Sequence, residues 1–208
     1  MTLVVASSSS ELFGFTQTDS LLAHPLGVGK SLSAVNATTL IHTLQPKRVI
    51  LVGTCGAVDE TLKVGDLIIA KKVIQHDLDL SRFGLKRGYS FDEHASIVGP
   101  LTCDTTFFSP LKETKHSNTI YWDKTIGCGD IFVVSETRLK DPFIQQTCDV
   151  VDMESYAVAL ASQTLNIPFS LMKVVSDTSK GHRAKSYPLF VQESSTTIAT
   201  LIQRCLIS

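Results

Sequence analysis

The sequence predicts an α/β domain built on a mixed, twisted central β-sheet flanked by helices on both faces. Three observations lead there. Strand-length apolar runs alternate with stretches of helical periodicity along the whole chain, the pattern of layered α/β folds. The 208 residues, 43% hydrophobic and 19% charged, suffice for one domain spanning 1–208 with a sizeable core. Thr54, Glu154 and Asp177, the polar residues of greatest chemical interest, each follow an apolar run. In such sheets ligands gather at the carboxyl ends of strands.

Thr2–Ala6 reads as a buried first strand. The serines at 7–10 follow, and serine caps free helix N–H groups well, so a helix is expected to begin there. Leu21–Pro25 is a second short apolar segment. Gly27, Val28, Gly29 and Lys30 lead into 31–44, where Ala34, Ala37, Thr38, Ile41 and Leu44 recur at helical spacing until Pro46 stops the helix. Residues 48–53 form a β-rich run suited to burial on both faces. The chain turns through Asp59, Glu60 and Thr61 and resumes as a strand over 66–75. Residues 76–94 contain Gly84, Gly88 and many charges, and are expected to form a long surface loop. Further strands are expected over 97–101, 120–122 and 125–128. Clear buried strands follow over 150–153 and 169–175, with a helix over 154–165 between them, and Tyr187–Ile207 closes the chain as a helix.

A formal net charge of −1 leaves no basic surplus to neutralise the phosphates of a nucleic acid, so that partner class is disfavoured. The cysteines, Cys55, Cys103, Cys128, Cys148 and Cys205, are odd in number and include no CxxC pair, which fits free thiols in a reducing compartment. The histidines (His24, His42, His76, His94, His116 and His182) are scattered without ligand spacing, so no metal is expected. Only His76 lies near a motif, and a structural or interface role is expected for it. The opening MTLVVASSSSE has no basic stretch and too short an apolar run for a signal peptide, and no run reaches the length of a membrane span. The expectation is a cytoplasmic protein with no membrane partner and no cofactor.

Three segments could carry chemistry. Val52-Gly53-Thr54-Cys55-Gly56-Ala57 takes a strand into a glycine-flanked turn whose backbone N–H groups can approach a ligand closely. Taken alone it reads first as a plain tight turn after a strand. It is not an ATP-type phosphate loop, because no Gly-Lys-Ser/Thr follows, and Gly27-Val28-Gly29-Lys30-Ser31 lacks the required glycine spacing. Asp152-Met153-Glu154 sets two carboxylates at the exit of an apolar strand, and strand alternation turns both to the same side. A carboxylate there can accept two hydrogen bonds from a sugar diol, or Glu154 can simply favour a helix N-terminus. Val174-Val175-Ser176-Asp177-Thr178 puts an aspartate directly after a buried run, a costly place unless it is exposed, paired or functional. Burial would favour its protonated form and make it a candidate general acid, while a turn or helix cap is the plain alternative.

Taken in order, these segments resemble the nucleoside phosphorylase-I superfamily of purine nucleoside and uridine phosphorylases, and within it the methylthioadenosine/S-adenosylhomocysteine nucleosidases. The similarity runs from about Leu22 to the C-terminal helix. Gly27-Val28-Gly29-Lys30 is similar to the nucleosidases' GxGK turn, and the stretch from His76 to Phe83 to their HDxDxxxF segment. Thr54 to Val58, followed by Thr61 to Asp66, is similar to the family's central turn and next strand. Gly129-Asp130-Ile131-Phe132-Val133, Asp152-Met153-Glu154 and Ser176-Asp177 complete the series.

The resemblance implies a nucleoside phosphorylase-like fold and cleavage of the N-ribosyl bond of a purine nucleoside. It implies that Asp177 protonates or hydrogen-bonds N7 of the leaving purine with support from Ser176. Phe132 would stack on the base while the Val133 backbone reads its edge. Glu154 would hold the ribose hydroxyls, with Met153 packed against the sugar. Thr54 and Cys55, with Gly56 beside them, would line the ribose and the nucleophile position. Phe83 would reach into a neighbouring subunit's site, which implies a homodimer. Glu11 would activate water. It meets the family's early glutamate only with a one-residue gap, because SSSSE replaces a GAMEEE-like start, and a surface helix glutamate is the alternative.

Family phosphorylases clamp phosphate with arginines, in a GDPxR-like turn near the N-terminus and at the position of Leu51. This chain has neither, which favours water as the nucleophile and an adenine nucleoside hydrolase as the activity. The central turn nevertheless looks phosphorylase-like, the N-terminal region is shortened, and Ser155-Tyr156 replaces a pair of small residues. Phosphorolysis, with phosphate held by Lys30 or the partner's Arg82, therefore stays open, as does a nucleoside-binding protein that has lost catalysis. Aspartate rather than asparagine at 177 favours adenine over hypoxanthine-type bases such as that of futalosine. The 5′ substituent is left open.

Overall fold

The computed structural model describes residues 1–113 and 118–207, so His116 lies outside the described residues. The elements in chain order are β1 (Thr2–Ala6), β2 (Leu21–Pro25), α1 (Lys30–Leu44), β3 (Arg48–Ala57), β4 (Leu67–Gln75), β5 (Ser90–Phe91), β6 (Ile97–Val98), β7 (Leu101–Thr102) and β8 (Ile120–Cys128). They continue as α2 (Ser135–Arg138), α3 (Pro142–Thr147), β9 (Val150–Asp152), α4 (Ser155–Thr164), β10 (Phe169–Asp177) and α5 (Tyr187–Ile207). Short 3-10 turns lie at Ser9–Leu12, Ser81–Phe83 and Thr106–Glu113.

The strand β3 is the hub of a mixed sheet. Its first half pairs parallel with β1, most of its length pairs parallel with β10, and Gly56 and Ala57 pair antiparallel with β9. From β10 the sheet continues through β4 and β8 to β9, so five strands close on themselves, while β1 and β2 extend the sheet from β3. Parallel strands of this kind need both faces covered. Alternate residues supply the two faces. Leu3, Val5, Leu51, Leu171 and Val175 share a core with Ala37 and Ile41 of α1 and Val158 of α4. Val4, Ile50, Val52, Met172 and Val174 share the other with Ile198, Leu201 and Ile202 of α5. The helix α1 ends where Gln45 turns left-handed (φ 45°) and its N–H closes on the Ile41 carbonyl, with Pro46 next.

Several expected boundaries are corrected. Strand β3 passes residue 53 and runs to Ala57, because pairing with β10 and β9 carries it on. Residues 97–101 are not one strand, since Gly99 and Pro100 break the run. Ile97–Val98 instead closes a small hairpin with β5, and Leu101–Thr102 joins β4. The strands expected at 120–122 and 125–128 are one strand, β8. It bulges at Asp123 (φ 58°), where its register with β4 shifts. The serines at 7–10 do not cap a helix. Ser8 precedes the 3-10 turn without a side-chain cap, and Ser7 donates to Glu11 instead. No helix among the described residues is long and apolar enough to cross a membrane.

Candidate active site

Sheet register gathers the three chemical segments. Pairing of Val174 with Thr54, Val175 with Cys55 and Asp177 with Gly56 sets Ser176-Asp177 beside the central turn. Pairing of Val151 with Gly56 brings in Asp152-Met153-Glu154, and Cys128 opposite Asp152 brings the Gly129–Val133 segment alongside. A cavity of about 700 Å³ opens at this junction. Glu11, Thr54, Cys55 and Gly56 line it, as do Phe132 and Val133, Met153 and Glu154, and Ser176 and Asp177. Among the proposed site residues, Phe83 alone is absent from that wall; it is 76% exposed on the loop after β4. A smaller hollow beside Cys103 and Gln163 contains none of these residues.

Glu11 is held on both oxygens. Its Oε2 accepts from the Ser7 hydroxyl at 2.6 Å and the Ser7 N–H at 3.2 Å. Its Oε1 accepts from the Thr54 N–H at 2.8 Å and the Thr54 hydroxyl at 3.1 Å. With the Thr54 proton so committed, the Tyr187 hydroxyl donates to Thr54 Oγ1 at 3.1 Å. Gly53 makes room for this arrangement. Its φ is +133°, and a Cβ there would lie 2.6 Å from Glu11 Oε1. The glutamate is therefore a buried and oriented group, not a surface helix residue.

The carboxylates of Asp152 and Glu154 do turn the same way, toward a lysine that no motif marked. Lys173 Nζ lies 3.1 Å from Asp152 Oδ2 and 3.9 Å from Glu154 Oε2, and the lysine side chain is 1% exposed. Burial alone would lower the Lys173 ammonium, but Asp152, Glu154 and Glu11 outweigh it and hold the group above its usual value. Burial pushes Glu154 up to about 7, against the opposing pull of Lys173 and the Gly29 N–H, which donates to Glu154 Oε1 at 3.1 Å. Burial also pushes the Cys55 thiol far up, so Cys55 is a wall of the site rather than a thiolate nucleophile.

Asp177 is paired rather than isolated in an apolar setting, one of the outcomes its place after an apolar run allows. Its Oδ2 pairs with Arg138 Nη2 at 2.6 Å, its Oδ1 accepts from the Ser176 hydroxyl at 2.8 Å, and its side chain is 24% exposed. Phe132 stands at the cavity mouth, 70% exposed. Lys30 is not among the residues lining the cavity. Its ammonium is bound to Asp77 at 2.6 Å and Gln75 at 3.0 Å. His76 is buried, and burial holds its imidazole below the usual value, in keeping with a structural role.

A family model described as the phosphorylase superfamily matches residues 16–207. The chain belongs to the phosphorylase superfamily. The 5′-methylthioadenosine/S-adenosylhomocysteine nucleosidases of Staphylococcus aureus and Haemophilus influenzae are 31% and 30% identical to it, over 86% of this chain and 79% of each relative. The solved nucleosidase of S. pneumoniae superposes with a TM-score of 0.81 at 24% identity, covering 99% of this chain and 98% of that one. The Campylobacter jejuni nucleosidase gives 0.80 at 21%, covering 99% and 97%. A futalosine hydrolase mutant of Helicobacter pylori gives 0.81 at 21%, covering 99% and 98%. These structures establish the nucleoside phosphorylase-like fold of this superfamily member.

Sequence reasoning missed Arg138, Lys173 and Tyr187. A lysine inside the apolar run Phe169–Asp177 was itself a signal, because a buried ammonium demands anionic partners. Arg138 gave none of that kind. It lies in the polar run Ser135–Arg138, too short to show a buried face.

Proposed function

We propose that the whole chain, 1–208, acts as one hydrolase domain that cleaves the N-ribosyl bond of adenine nucleosides of the methylthioadenosine/S-adenosylhomocysteine type. The observation that carries this reading is the pair of oriented carboxyl groups, Glu11 and Asp177, lining one cavity with Glu154. Water attacks C1′ and gives a proton to Glu11. The C1′–N9 electron pair moves into the purine, and N7 takes the proton of Asp177, which enters as the carboxylic acid and ends as the carboxylate held by Arg138. The transition state is oxocarbenium-like, so positive charge grows on the sugar beside Glu154 and Glu11. Glu154 in its charged form accepts both ribose hydroxyls, Met153 packs on the sugar, Phe132 stacks on the base, and the Val133 backbone meets the base edge. The similarity to the S. aureus and H. influenzae nucleosidases supports the substrate class.

Two further features belong to this reading. The exposed apolar side chains Val28, Ile131 and Phe132 at the cavity mouth, together with exposed Phe83, support a homodimer in which Phe83 serves the partner's site. Five buried free thiols support a cytoplasmic location. Commitment of Lys30 to Asp77 counts against the phosphorolytic alternative. The anchoring of Glu11 counts against a protein that only binds nucleosides.

The test is base release from methylthioadenosine, S-adenosylhomocysteine, adenosine and inosine, with and without phosphate, beside an Asp177→Asn control. Adenine released without phosphate, and released far more slowly by the control, is the expected result. Release that requires phosphate would make the protein a phosphorylase.

A further inference from the structure

Arg138 joins three walls of the cavity through one planar group. Its Nε donates to the Val133 carbonyl at 2.8 Å, its Nη1 to the Ala57 carbonyl at 3.3 Å, and its Nη2 meets Asp177 Oδ2 at 2.6 Å. The residue is 2% exposed. Burying a guanidinium is costly unless it is paired, and Asp177 is its carboxylate partner among the described residues. Gly56 is the permissive residue, because a Cβ at that position would collide with the guanidinium. The other Asp177 oxygen is held by Ser176, whose hydroxyl also lies 3.2 Å from the Cys55 carbonyl. Both oxygens are thus anchored, and the plane of the carboxyl group is set from two sides.

We propose that Arg138 is the positioning residue for Asp177 in the leaving-group half of the reaction. It fixes the carboxyl group in the place from which it meets N7 of the purine, and it takes no part at the sugar. The inference rests on the reading of Asp177 as the acid. A purine leaves as a neutral base only when N7 gains a proton as the C1′–N9 electrons move into the ring. That transfer depends on alignment, and a displacement of about 1 Å costs roughly 10²-fold in rate. A leaving group that departs as a stable anion needs no such proton.

The experiment compares two leaving groups on the wild-type chain, Arg138→Met and Arg138→Lys. One substrate is methylthioadenosine. The other is p-nitrophenyl β-D-ribofuranoside, whose phenolate departs unprotonated. Arg138→Met is expected to lower kcat on methylthioadenosine about 10²-fold, with KM within about 3-fold. Its kcat on the nitrophenyl riboside is expected to fall less than about 3-fold. Arg138→Lys keeps the charge but loses the planar fork, so its loss falls between the wild type and Arg138→Met. Both substrates are read on the same sample, so a smaller folded fraction cancels from the ratio. Parallel losses on the two substrates would overturn the proposal. A second measurement uses the purine alone: adding Arg138→Met to Asp177→Asn should cost less than about 3-fold, because the residue acts through the missing acid. Full additivity would overturn the proposal equally. A wild type that releases no base from any nucleoside would instead remove the reading of Asp177 as the acid, and the proposal with it.

Discussion

Replacing Lys173 with methionine removes the cation from the most deeply buried charge cluster of the cavity wall. The change keeps a similar unbranched stem, so the packing loss is small beside the electrostatic one. Asp152 depends on this lysine. Its Oδ1 accepts from the Ser155 hydroxyl at 2.7 Å, but its buried Oδ2 has no hydrogen-bond donor among the described residues, only the ammonium 3.1 Å away. Breaking a buried ion pair from one side typically costs about 3–5 kcal/mol. For a chain of this size each kcal/mol lowers Tm by about 2–4 °C, so the expected drop is about 6–20 °C. The deficit should depend on pH. Lys173 pulls Glu154 downward against burial, so without it Glu154 rises further above about 7, while its unfolded value stays near 4.5. A carboxyl group whose folded pKa is raised binds more protons folded than unfolded, so stability falls as pH rises through that window. The deficit of Lys173→Met relative to wild type should therefore be larger near pH ~8 than near pH ~5. Thermal unfolding followed by calorimetry at both pH values reads this directly. A Tm loss below about 2 °C, or equal losses at the two pH values, would refute the account of Lys173 as the compensating charge.

Three further outcomes follow from the same geometry. Glu11→Gln should lower kcat about 10²–10⁴-fold with little change in substrate binding; a loss under about 10-fold would remove Glu11 as the base. Because burial pushes Glu154 up to about 7, KM for the nucleoside should rise as pH falls through that value, and a Glu154→Gln variant should show a flat profile. A wild-type KM that does not change over that range would count against Glu154 as the diol acceptor. Gly53→Ala should cost more activity than stability, since its Cβ would lie 2.6 Å from Glu11 Oε1; full activity with the Thr54–Glu11 contact intact would contradict this.

Much of the framework was legible because burial on both faces writes itself into sequence. The continuous apolar runs of β1, β3 and β10 read as strands, and α1 announces both its spacing and its stop at Pro46. Bent strand β8 was read as two pieces because Asp123-Lys124 interrupts its pattern, and only the pairing with β4 shows that the strand continues. The short helices α2 and α3 have fewer than two turns and carry no readable period. In the site, residues attached to strand ends were legible, because the end of an apolar run is visible. Arg138 was not, since its burial is decided by a distant glycine and a distant aspartate. Gly56 was noticed as a turn residue, but that a side chain from 82 positions further on would occupy the space above it is a tertiary fact.

The charged groups around the cavity are sorted in a way that suits the proposed bond cleavage. Asp152, Glu154 and Lys173 form one cluster on the β9–β10 side, and Arg138 with Asp177 forms another beside Val133. Glu11 adds a carboxylate next to Thr54. In the free protein Arg138 and Lys173 are each paired, so the wall avoids most of the cost of isolated charge. Cleavage of a neutral nucleoside separates charge, with the sugar turning positive and the base negative. The sugar end then meets Glu11 and Glu154. The base end meets Asp177, which reacts as the carboxylic acid, and the carboxylate it leaves behind is bound by Arg138 rather than left bare beside the departing base. The Arg138 pair thus answers a problem the acid alone would create. An aspartate at the strand end supplies the proton, and a buried cation makes its conjugate base tolerable beside a departing purine. The pairing that offsets the cost of burying Arg138 in the resting fold is thus already in place as the proton leaves Asp177, which is where an enzyme gains from preorganised charge.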